Sequence, residues 1–427
     1  MSRSILTIAL VLSATAGLAL ADNAHADNTY EGKTLFGDMG GLRTDWAAKG
    51  ITLRGDLVVE GLGVTEGGYE NGFRTAEQIR IGVDFDMKKL AGWSGGAFHF
   101  TLNDRRGEST SADLVGNRFP IQEAYGGLYA RITEMSYDQS FFDGKTYVKA
   151  GFYAMGNGYA VQTLGTNFVN AAFCAHPLSL SGDSGWYNYP NARWGLEVMQ
   201  KLTPEVSVRT GVFQVNPELG QQGNAFKPWA GDTTGQLYPV EINWTPGSQT
   251  SHPGNYKFGG YYDTSTASRL GLSGTQEGRY GYWFMGEQKI FAEKANPKRG
   301  LSVFAQYLTH DRATSQIWNW YGLGAVYQGT FKGRDQDKIA LGWISGTINP
   351  RLIDQQRASL ISAGVTLDDA RYNLTKAETV WELSYSYQVN PWLMVRPDVQ
   401  YVVNPGTFNF KQTPDATVIG LQTKVTF

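Results

Sequence analysis

Apolar and polar residues alternate along much of this chain of 427 residues. Between Gln78 and Lys88, the odd-numbered positions carry Ile, Val, Phe or Met, and the even-numbered positions carry polar, charged or small residues. Successive side chains of a β-strand point to opposite faces of the sheet. This period of two therefore predicts a strand that is apolar on one face and polar on the other.

The same pattern predicts sixteen strands. They lie near 50–63, 76–88, 95–105, 121–133, 144–154, 192–201, 205–215, 237–245, 255–264, 279–292, 300–310, 320–331, 336–348, 379–389, 392–403 and 417–427. The clearest segments run for ten to fourteen residues, whereas strands of soluble proteins usually contain about five or six residues. A tilted strand needs about 9–11 residues to cross a membrane. The lengths therefore favour a membrane barrel over a soluble sandwich or propeller.

The connections between the predicted strands alternate in length. Those after even-numbered strands, such as Leu202–Pro204, are mostly short, and the longest ones after odd-numbered strands are Met155–Asn191 and Asn349–Thr379. Outer-membrane barrels alternate short periplasmic turns with longer outer loops in this way. The predicted fold is all-β, a transmembrane antiparallel β-barrel of about sixteen strands that occupies residues 50–427 as one domain. The chain ends in Phe427 on an amphipathic strand, which is typical of the insertion signal of such barrels.

The first residues read as an export signal. Arg3 is followed by the apolar stretch Ile5–Leu20 and by Ala24-His25-Ala26, an A-x-A cleavage site. We therefore expect residues 1–26 to form a Sec signal peptide. Residues 27–49 are predicted to form a periplasmic segment with a short helix that ends at Gly50.

Composition excludes several other classes. After residue 20, no apolar run approaches the roughly 20 residues of a spanning helix. Aromatic residues make up 13% of the chain, which argues against disorder. The net charge of −2 leaves no basic excess for binding nucleic acid. The single cysteine, Cys174, allows neither an intrachain disulfide nor a cysteine zinc cage, and no cofactor or metal is predicted.

The connection after the fifth predicted strand, Met155–Asn191, is long enough to fold into the barrel. Sixteen strands enclose an aqueous channel that something must narrow if the pore is to be selective. This connection contains aromatic rings that can stack on an apolar face of a solute and amides that can bond its polar groups, namely Asn157, Tyr159, Asn167, Asn170, Trp186, Tyr187, Asn188 and Tyr189. The alternative is a surface loop that packs on itself.

Strand parity places charged residues of both signs on the water-facing side of the predicted barrel. They are Arg80, Asp84, Glu123, Arg131, Lys149, Arg193, Glu197, Glu382, Arg396, Asp398 and Lys424. A constriction that carries both charges can hydrogen-bond hydroxyl groups from both sides. Because neither sign of charge dominates the electrostatic field, it would favour neutral solutes. We predict that the transported solute contacts Arg80, Asp84, Glu123, Arg193, Glu382, Arg396, Asp398, Trp186 and Tyr187. The alternative for each charge is an ion pair that braces the wall.

Catalytic signals are weak. His99, His176, His252 and His310 lie in different segments, and none stands beside a serine in a nucleophile-elbow setting. We therefore predict that the protein is not an enzyme. Three alternatives stay open here: a barrel hydrolase acting on lipid or peptide, a general non-selective porin, and a plugged structural barrel.

Three stretches resemble one family. They are Gly37–Gly50 with Ile51-Thr52-Leu53, Gly322–Gly329 leading into Gly333–Asp337, and Glu378–Pro405. With them, the chain resembles the carbohydrate-selective porin (OprB) family of Gram-negative outer membranes.

The resemblance implies a sixteen-stranded barrel that passes monosaccharides, often glucose, by facilitated diffusion, and polyols are a further candidate class. The family is thought to use arginine at its constriction, and strand position makes Arg80, Arg193 and Arg396 the candidates. Expected partners are small-molecule sugars, outer-membrane lipid with lipopolysaccharide, and the barrel-assembly machinery acting through Phe427. Monomer and homotrimer both stay open.

Overall fold

The computed structural model describes residues 30–173 and 176–427, and within them the chain forms one closed antiparallel barrel of sixteen strands. The strands are β1 (Ile51–Glu66), β2 (Gly72–Asp86), β3 (Gly96–Gly107), β4 (Arg131–Phe141), β5 (Thr146–Tyr153), β6 (Arg193–Lys201), β7 (Val206–Val215), β8 (Gly235–Trp244), β9 (Gly254–Ser268), β10 (Thr275–Glu293), β11 (Asn296–His310), β12 (Ile317–Gln328), β13 (Lys338–Ile348), β14 (Ala377–Asn390), β15 (Leu393–Val403) and β16 (Ala416–Thr426). The predicted fold class is confirmed.

The first and last strands close the barrel. β1 pairs with β16 from Asp56 opposite Thr426 to Glu66 opposite Thr417, and each other strand pairs with its neighbours in sequence. No water is available in hydrocarbon to bond a free backbone N–H or C=O, so a sheet can cross a membrane only when it has no open edge. The β1–β16 pairing removes that edge.

Alternation gives the wall an apolar outer face. Leu341, Leu383, Val399 and Ile419 lie opposite one another across β13 to β16, and each is 44–52% exposed. Their neighbours Glu382 and Asp398 point inward and are almost fully buried. The exposed row therefore faces lipid, and the charged positions face the interior.

One strand lies elsewhere than predicted. The sequence pattern predicts a strand over 121–133, but β4 spans Arg131–Phe141, and Glu123 lies in the connection before it. The register between β3 and β4 shifts at Thr101/Leu102, so Ile132 and Met135 face the same way although they are three positions apart. This bulge breaks the period of two. The connection before β4 contains apolar residues such as Ile121, which is fully buried inside the barrel. These residues produce the alternation from which the strand over 121–133 is predicted.

Long and short connections lie at opposite rims. The long ones are 108–130, 154–192, 216–234, 349–376 and 404–415, and the short turns include 142–145, 202–205, 294–295 and 391–392. The rim with the short turns also holds the start of β1 and the end of β16, and by the general rule for such barrels it faces the periplasm.

The helices lie in segments between or before the strands, and none is part of the barrel wall. They are α1 (Leu42–Ala48), α2 (Met87–Ala91), α3 (Leu178–Gly182) and α4 (Pro350–Ser362), with a π-helical turn at Ser111–Val115 and 3₁₀ turns at Met155–Asn157, Thr163–Asn167, Ala171–Phe173, Pro217–Gly220 and Gln222–Asn224. Among residues 30–173 and 176–427, no helix is long and apolar enough to span a membrane. The connection 349–376, which contains α4, pairs with 404–415, where the Asn373 N–H donates to the Phe410 carbonyl at 2.9 Å.

The predicted short helix is α1, which packs against the periplasmic rim. Gly50 follows it at φ +92°, a backbone conformation that glycine adopts without steric cost. The Leu35 N–H donates to the Thr426 carbonyl at 2.8 Å, and the rings of Phe36 and Phe427 lie 5.7 Å apart. The predicted signal peptide, residues 1–26, lies outside the described residues.

Replacing a residue of the lipid-facing row by a charge tests the orientation of the wall. We expect Leu383→Arg to lower the free energy of unfolding in lipid vesicles by about 2–4 kcal/mol, because an arginine would enter the middle of the apolar face. Leu383→Met is the control, because it keeps an apolar side chain of similar volume. Urea titration of the folded fraction measures both variants, and equal stability would place Leu383 away from lipid.

Candidate functional site

The connection 154–192 folds into the barrel and crosses its lumen, which is one of the two alternatives that the sequence leaves open. The N–H groups of Val169 and Asn170 donate to the carboxylate of Glu382 at 2.7 and 2.9 Å. Arg396 donates to the carbonyl oxygens of Phe168 at 3.2 Å and Thr166 at 3.0 Å. The loop is therefore tied to β14 and β15.

A second connection, 108–130, also enters the lumen. The N–H groups of Arg118 and Phe119 donate to Glu378, each at 2.8 Å, and the N–H of Ala124 donates to Glu60 at 2.9 Å. The sequence pattern missed this loop because its second half was predicted as a strand. Two loops, rather than one, narrow the channel.

Carboxylates of the barrel wall hold both loops by the same kind of bond. Each wall carboxylate accepts at least one loop backbone N–H: Glu60 from Ala124, Glu241 from Ala160, Asp263 from Gly185, Glu287 from Leu164, Glu378 from Arg118 and Phe119, and Glu382 from Val169 and Asn170. We call these six residues the wall carboxylates. A buried backbone N–H without an acceptor costs free energy, so each of these bonds favours the inward position of the loop. These residues therefore position the loops without having to touch a solute.

Two cavities remain between the loops and the wall. The inner cavity, of 500 Å³, reaches from the periplasmic turns at Gln336 and Trp392 up to Asn167. The outer cavity, of 440 Å³, runs from Ser181 and Gly220 down to the loop residue Tyr187. Three residues line both cavities, namely Arg105, Glu123 and Tyr189. These three side chains therefore lie where the two cavities meet, a place that we call the narrow point.

Two arginines flank the phenol ring of Tyr189 at this narrow point. The guanidinium carbons of Arg80 and Arg105 lie 5.8 and 5.7 Å from its ring centre. Arg80 pairs with Asp56, and Arg105 donates to Gln78 Oε1 at 2.8 Å. Burial raises the pKa of Tyr189 to about 12, although both arginines oppose that rise. The phenol is therefore neutral at physiological pH and can both donate and accept.

Some of the predicted sugar-contacting residues line these cavities. Arg80, Glu123 and Arg396 line the inner cavity, and Tyr187 lines the outer one. Trp186 also borders the outer cavity but is fully buried, and its ring packs edge-on against Trp283 at 5.5 Å. It therefore anchors the loop to the wall.

Four other predicted residues lie apart from the narrow point. Arg193 is 2% exposed, and its guanidinium stacks on Tyr187 at 3.4 Å from the ring centre. The carboxylate of Glu382 accepts hydrogen bonds from two N–H groups of the loop. Asp398 accepts a hydrogen bond from Gln400 Nε2 at 2.8 Å and is almost fully buried. Asp84 belongs to a separate group on the inner wall, where it accepts from Arg54 Nη2 at 2.7 Å.

Arg105 is the main residue that sequence reasoning missed. It lies on β3, where Phe98 points outward and the inward series of alternate positions begins with His99. Parity alone would have placed Arg105 on the inner face. The contribution of Tyr189 to the narrow point depends on the path of the loop, for which the chain carries no periodic signal.

The four histidines do not form one site. His99 lies between Asp84 Oδ1 and Asp138 Oδ1, at 2.7 and 3.0 Å, on the inner wall. Burial lowers the pKa of the loop residue His176 to about 4, so it carries no charge at neutral pH. His252 contacts Ser251 Oγ at 2.9 Å in an exposed turn. Within the described part of the chain, no group of three His, Cys, Asp or Glu side chains could hold a metal.

Comparison with known proteins decides the family. The model of the carbohydrate-selective porin family, OprB, matches residues 70–427. This chain belongs to the OprB family. Porin B of Pseudomonas aeruginosa is 32% identical over 442 aligned positions, which cover 97% of this chain and 96% of that protein. A putative porin of Acinetobacter baylyi, QuiX, is 30% identical over 92% of this chain and 93% of its own length.

A solved structure of a relative shares the architecture. The high-pH structure of Pseudomonas putida OprB superposes with a TM-score of 0.87 at 30% identity, and the match covers 94% of this chain and all of that one. Membership of the OprB family, together with the closed barrel, makes the protein an outer-membrane carbohydrate porin of a Gram-negative bacterium. It is a channel rather than an enzyme.

Removing one wall carboxylate should loosen the loop that it holds. We expect Glu382→Ala to raise single-channel conductance and to lower discrimination between small and large sugars, because two hydrogen bonds to loop N–H groups, each contributing about 1 kcal/mol, are lost. Glu382→Gln keeps one acceptor oxygen and should give a smaller effect. Planar-bilayer recording measures both.

The matched control is Glu277→Ala, an exposed glutamate at the outer end of β10 that bonds neither inward loop. It should conduct as the wild type does. If Glu382→Ala also conducts as the wild type does while folding normally, the loop is held by its other contacts.

Proposed function

We propose that the channel passes monosaccharides such as glucose, and polyols, by facilitated diffusion, and that Arg80, Arg105, Glu123 and Tyr189 form its selectivity constriction. The observation that carries the proposal is the meeting of the two cavities at Arg105, Glu123 and Tyr189. A solute that crosses the barrel between the inward loops and the wall has to pass these groups.

The chemistry of the constriction suits a polyol. The guanidinium groups of Arg80 and Arg105 donate hydrogen bonds, the carboxylate of Glu123 accepts them, and the phenol of Tyr189 does both. No single contact needs to be strong, because conduction requires that a bound solute also leaves. Several weak bonds would then favour compact hydroxylated molecules over apolar ones of equal size.

The remaining predicted residues receive supporting roles in this proposal. Arg396 serves twice, since it lines the inner cavity and holds the loop carbonyls of Thr166 and Phe168. Tyr187 offers a ring face in the outer cavity, with Arg193 stacked on it. Asp84, Glu382, Asp398 and Trp186 would then shape the lumen rather than contact the sugar.

Export and assembly complete the proposal. Residues 1–26 would be removed as a Sec signal peptide, residues 27–49 would remain as the periplasmic segment, and residues 50–427 would form the barrel domain. Phe427 would direct the chain to the barrel-assembly machinery. Outer-membrane lipid and lipopolysaccharide would surround the apolar rows, with the oligomeric state, single or trimeric, set by packing between those rows.

Substituting the two constriction arginines tests the proposal. We expect Arg80→Ala and Arg105→Ala each to weaken discrimination among monosaccharides, polyols and disaccharides several-fold, because each lost hydrogen bond contributes about 1 kcal/mol. Liposome swelling with a panel of these solutes measures the selectivity. Arg106→Ala is the control, because Arg106 is next to Arg105 on β3, is exposed, and points to the opposite face.

Two results would contradict the proposal. If neither variant changes selectivity although both fold, the constriction lies elsewhere. If the wild type admits disaccharides, amino acids and monosaccharides in proportion to size alone, the protein is a general porin.

A further inference from the structure

The charged residues that line the inner cavity are predominantly basic. The basic side chains are Arg80, Arg105, Lys338, Arg396 and Lys424, and the acidic ones are Asp56, Glu60 and Glu123. The whole chain, by contrast, has a net charge of −2. The passage therefore carries a local charge opposite in sign to that of the protein around it.

The acidic residues offset only part of this charge. Asp56 is paired with Arg80. Glu60 is fully buried, and its two oxygens accept from the Ala124 N–H at 2.9 Å and from Gln422 Nε2 at 2.7 Å. Glu123 is the remaining acidic group, and it lies at the constriction rather than in the body of the inner cavity.

The basic residues form one continuous arc of the wall. Arg105 and Arg80 lie on β3 and β2, while Lys424, Arg396 and Lys338 lie on β16, β15 and β13. The closed order of the barrel runs from β3 through β2, β1, β16, β15 and β14 to β13. These five side chains therefore border the same side of the cavity, and we call them the basic arc.

Two members of the basic arc have no ion-pair partner. Among the described residues, neither Lys338 nor Lys424 has a carboxylate oxygen within 4.0 Å, and neither donates a hydrogen bond to the protein. Both are partly exposed in the cavity. An ammonium group that faces a water-filled cavity without a partner attracts anions into it.

Amide side chains lie around the arc. Gln78, Asn167 and Gln388 line the same cavity, and an amide can bond hydroxyl groups in either direction, whereas Gln422 is held between Arg396 and Glu60. A solute with one carboxylate and several hydroxyls would fit both kinds of group at once.

From this geometry we propose that the channel also conducts polyhydroxylated monocarboxylates, that is, sugar acids, with the basic arc attracting the carboxylate. The inference rests on the proposed function, because it adds a charged solute to the same passage. It differs from the sequence-based expectation that a mixed constriction favours neutral solutes. Lys338 and Lys424 supply the attraction, and the constriction contacts the hydroxyls as it does for a neutral sugar.

The test compares one neutral sugar with its acid. Radiolabelled D-glucose and D-gluconate are taken up by the same proteoliposomes at low ionic strength and zero membrane potential. In the wild type, both should enter. In Lys338→Gln/Lys424→Gln, gluconate entry should fall by about tenfold, the lower end of what electrostatic attraction supplies, while glucose entry changes far less. Added salt should reduce the wild-type advantage, because mobile ions screen the arc.

The matched control is Lys298→Gln/Lys332→Gln, which removes the same charge from the periplasmic end of β11 and from the turn 329–337, outside the cavity. If gluconate entry falls equally in the control, the basic arc is not responsible. If the wild type admits glucose and excludes gluconate, this inference is wrong while the proposed function stands. If glucose itself is excluded, the proposed function fails.

Discussion

The structure depends on one constraint, which is that a peptide group in hydrocarbon must be bonded by the protein itself. The pairing of β1 with β16 meets that constraint by leaving the sheet without an edge. Closure has a geometric consequence, since sixteen strands enclose more space than their inward side chains can fill. The chain therefore needs additional segments in the interior, and the loops 108–130 and 154–192 supply them.

Bringing loops inside creates a second problem, because their backbone N–H groups leave bulk water. The wall carboxylates solve it: Glu60, Glu378 and Glu382 each accept loop N–H groups while almost fully buried themselves. A buried carboxylate is costly when unpaired, and so is a buried N–H. Pairing the two satisfies both and fixes where the loops lie. The position of the narrow point thus follows from the bonds that these wall residues make to the loops.

The period of two predicted fifteen strands near their observed places because lipid on one side and water on the other act on every residue of the wall. The pattern failed at β4, where the bulge between β3 and β4 shifts the alternation of inward and outward side chains near Ile132. The same alternation correctly placed Arg80, Glu382 and Arg396 on the inner face. It does not show which of the inward side chains are buried by a loop. Arg193, buried beneath Tyr187, and Tyr189, at the narrow point, depend on tertiary contacts that no local pattern encodes.

The pairing of the first strand with the last also governs how the barrel is made. Residues 51–66 are synthesised early, yet half of the backbone groups of β1 have no partner until residues 416–426 exist. An unfinished chain therefore keeps an unpaired edge that invites aggregation. The barrel can therefore insert only after the whole polypeptide has been synthesised. Until then, the factor that carries the chain to the membrane must cover the unpaired edge of β1.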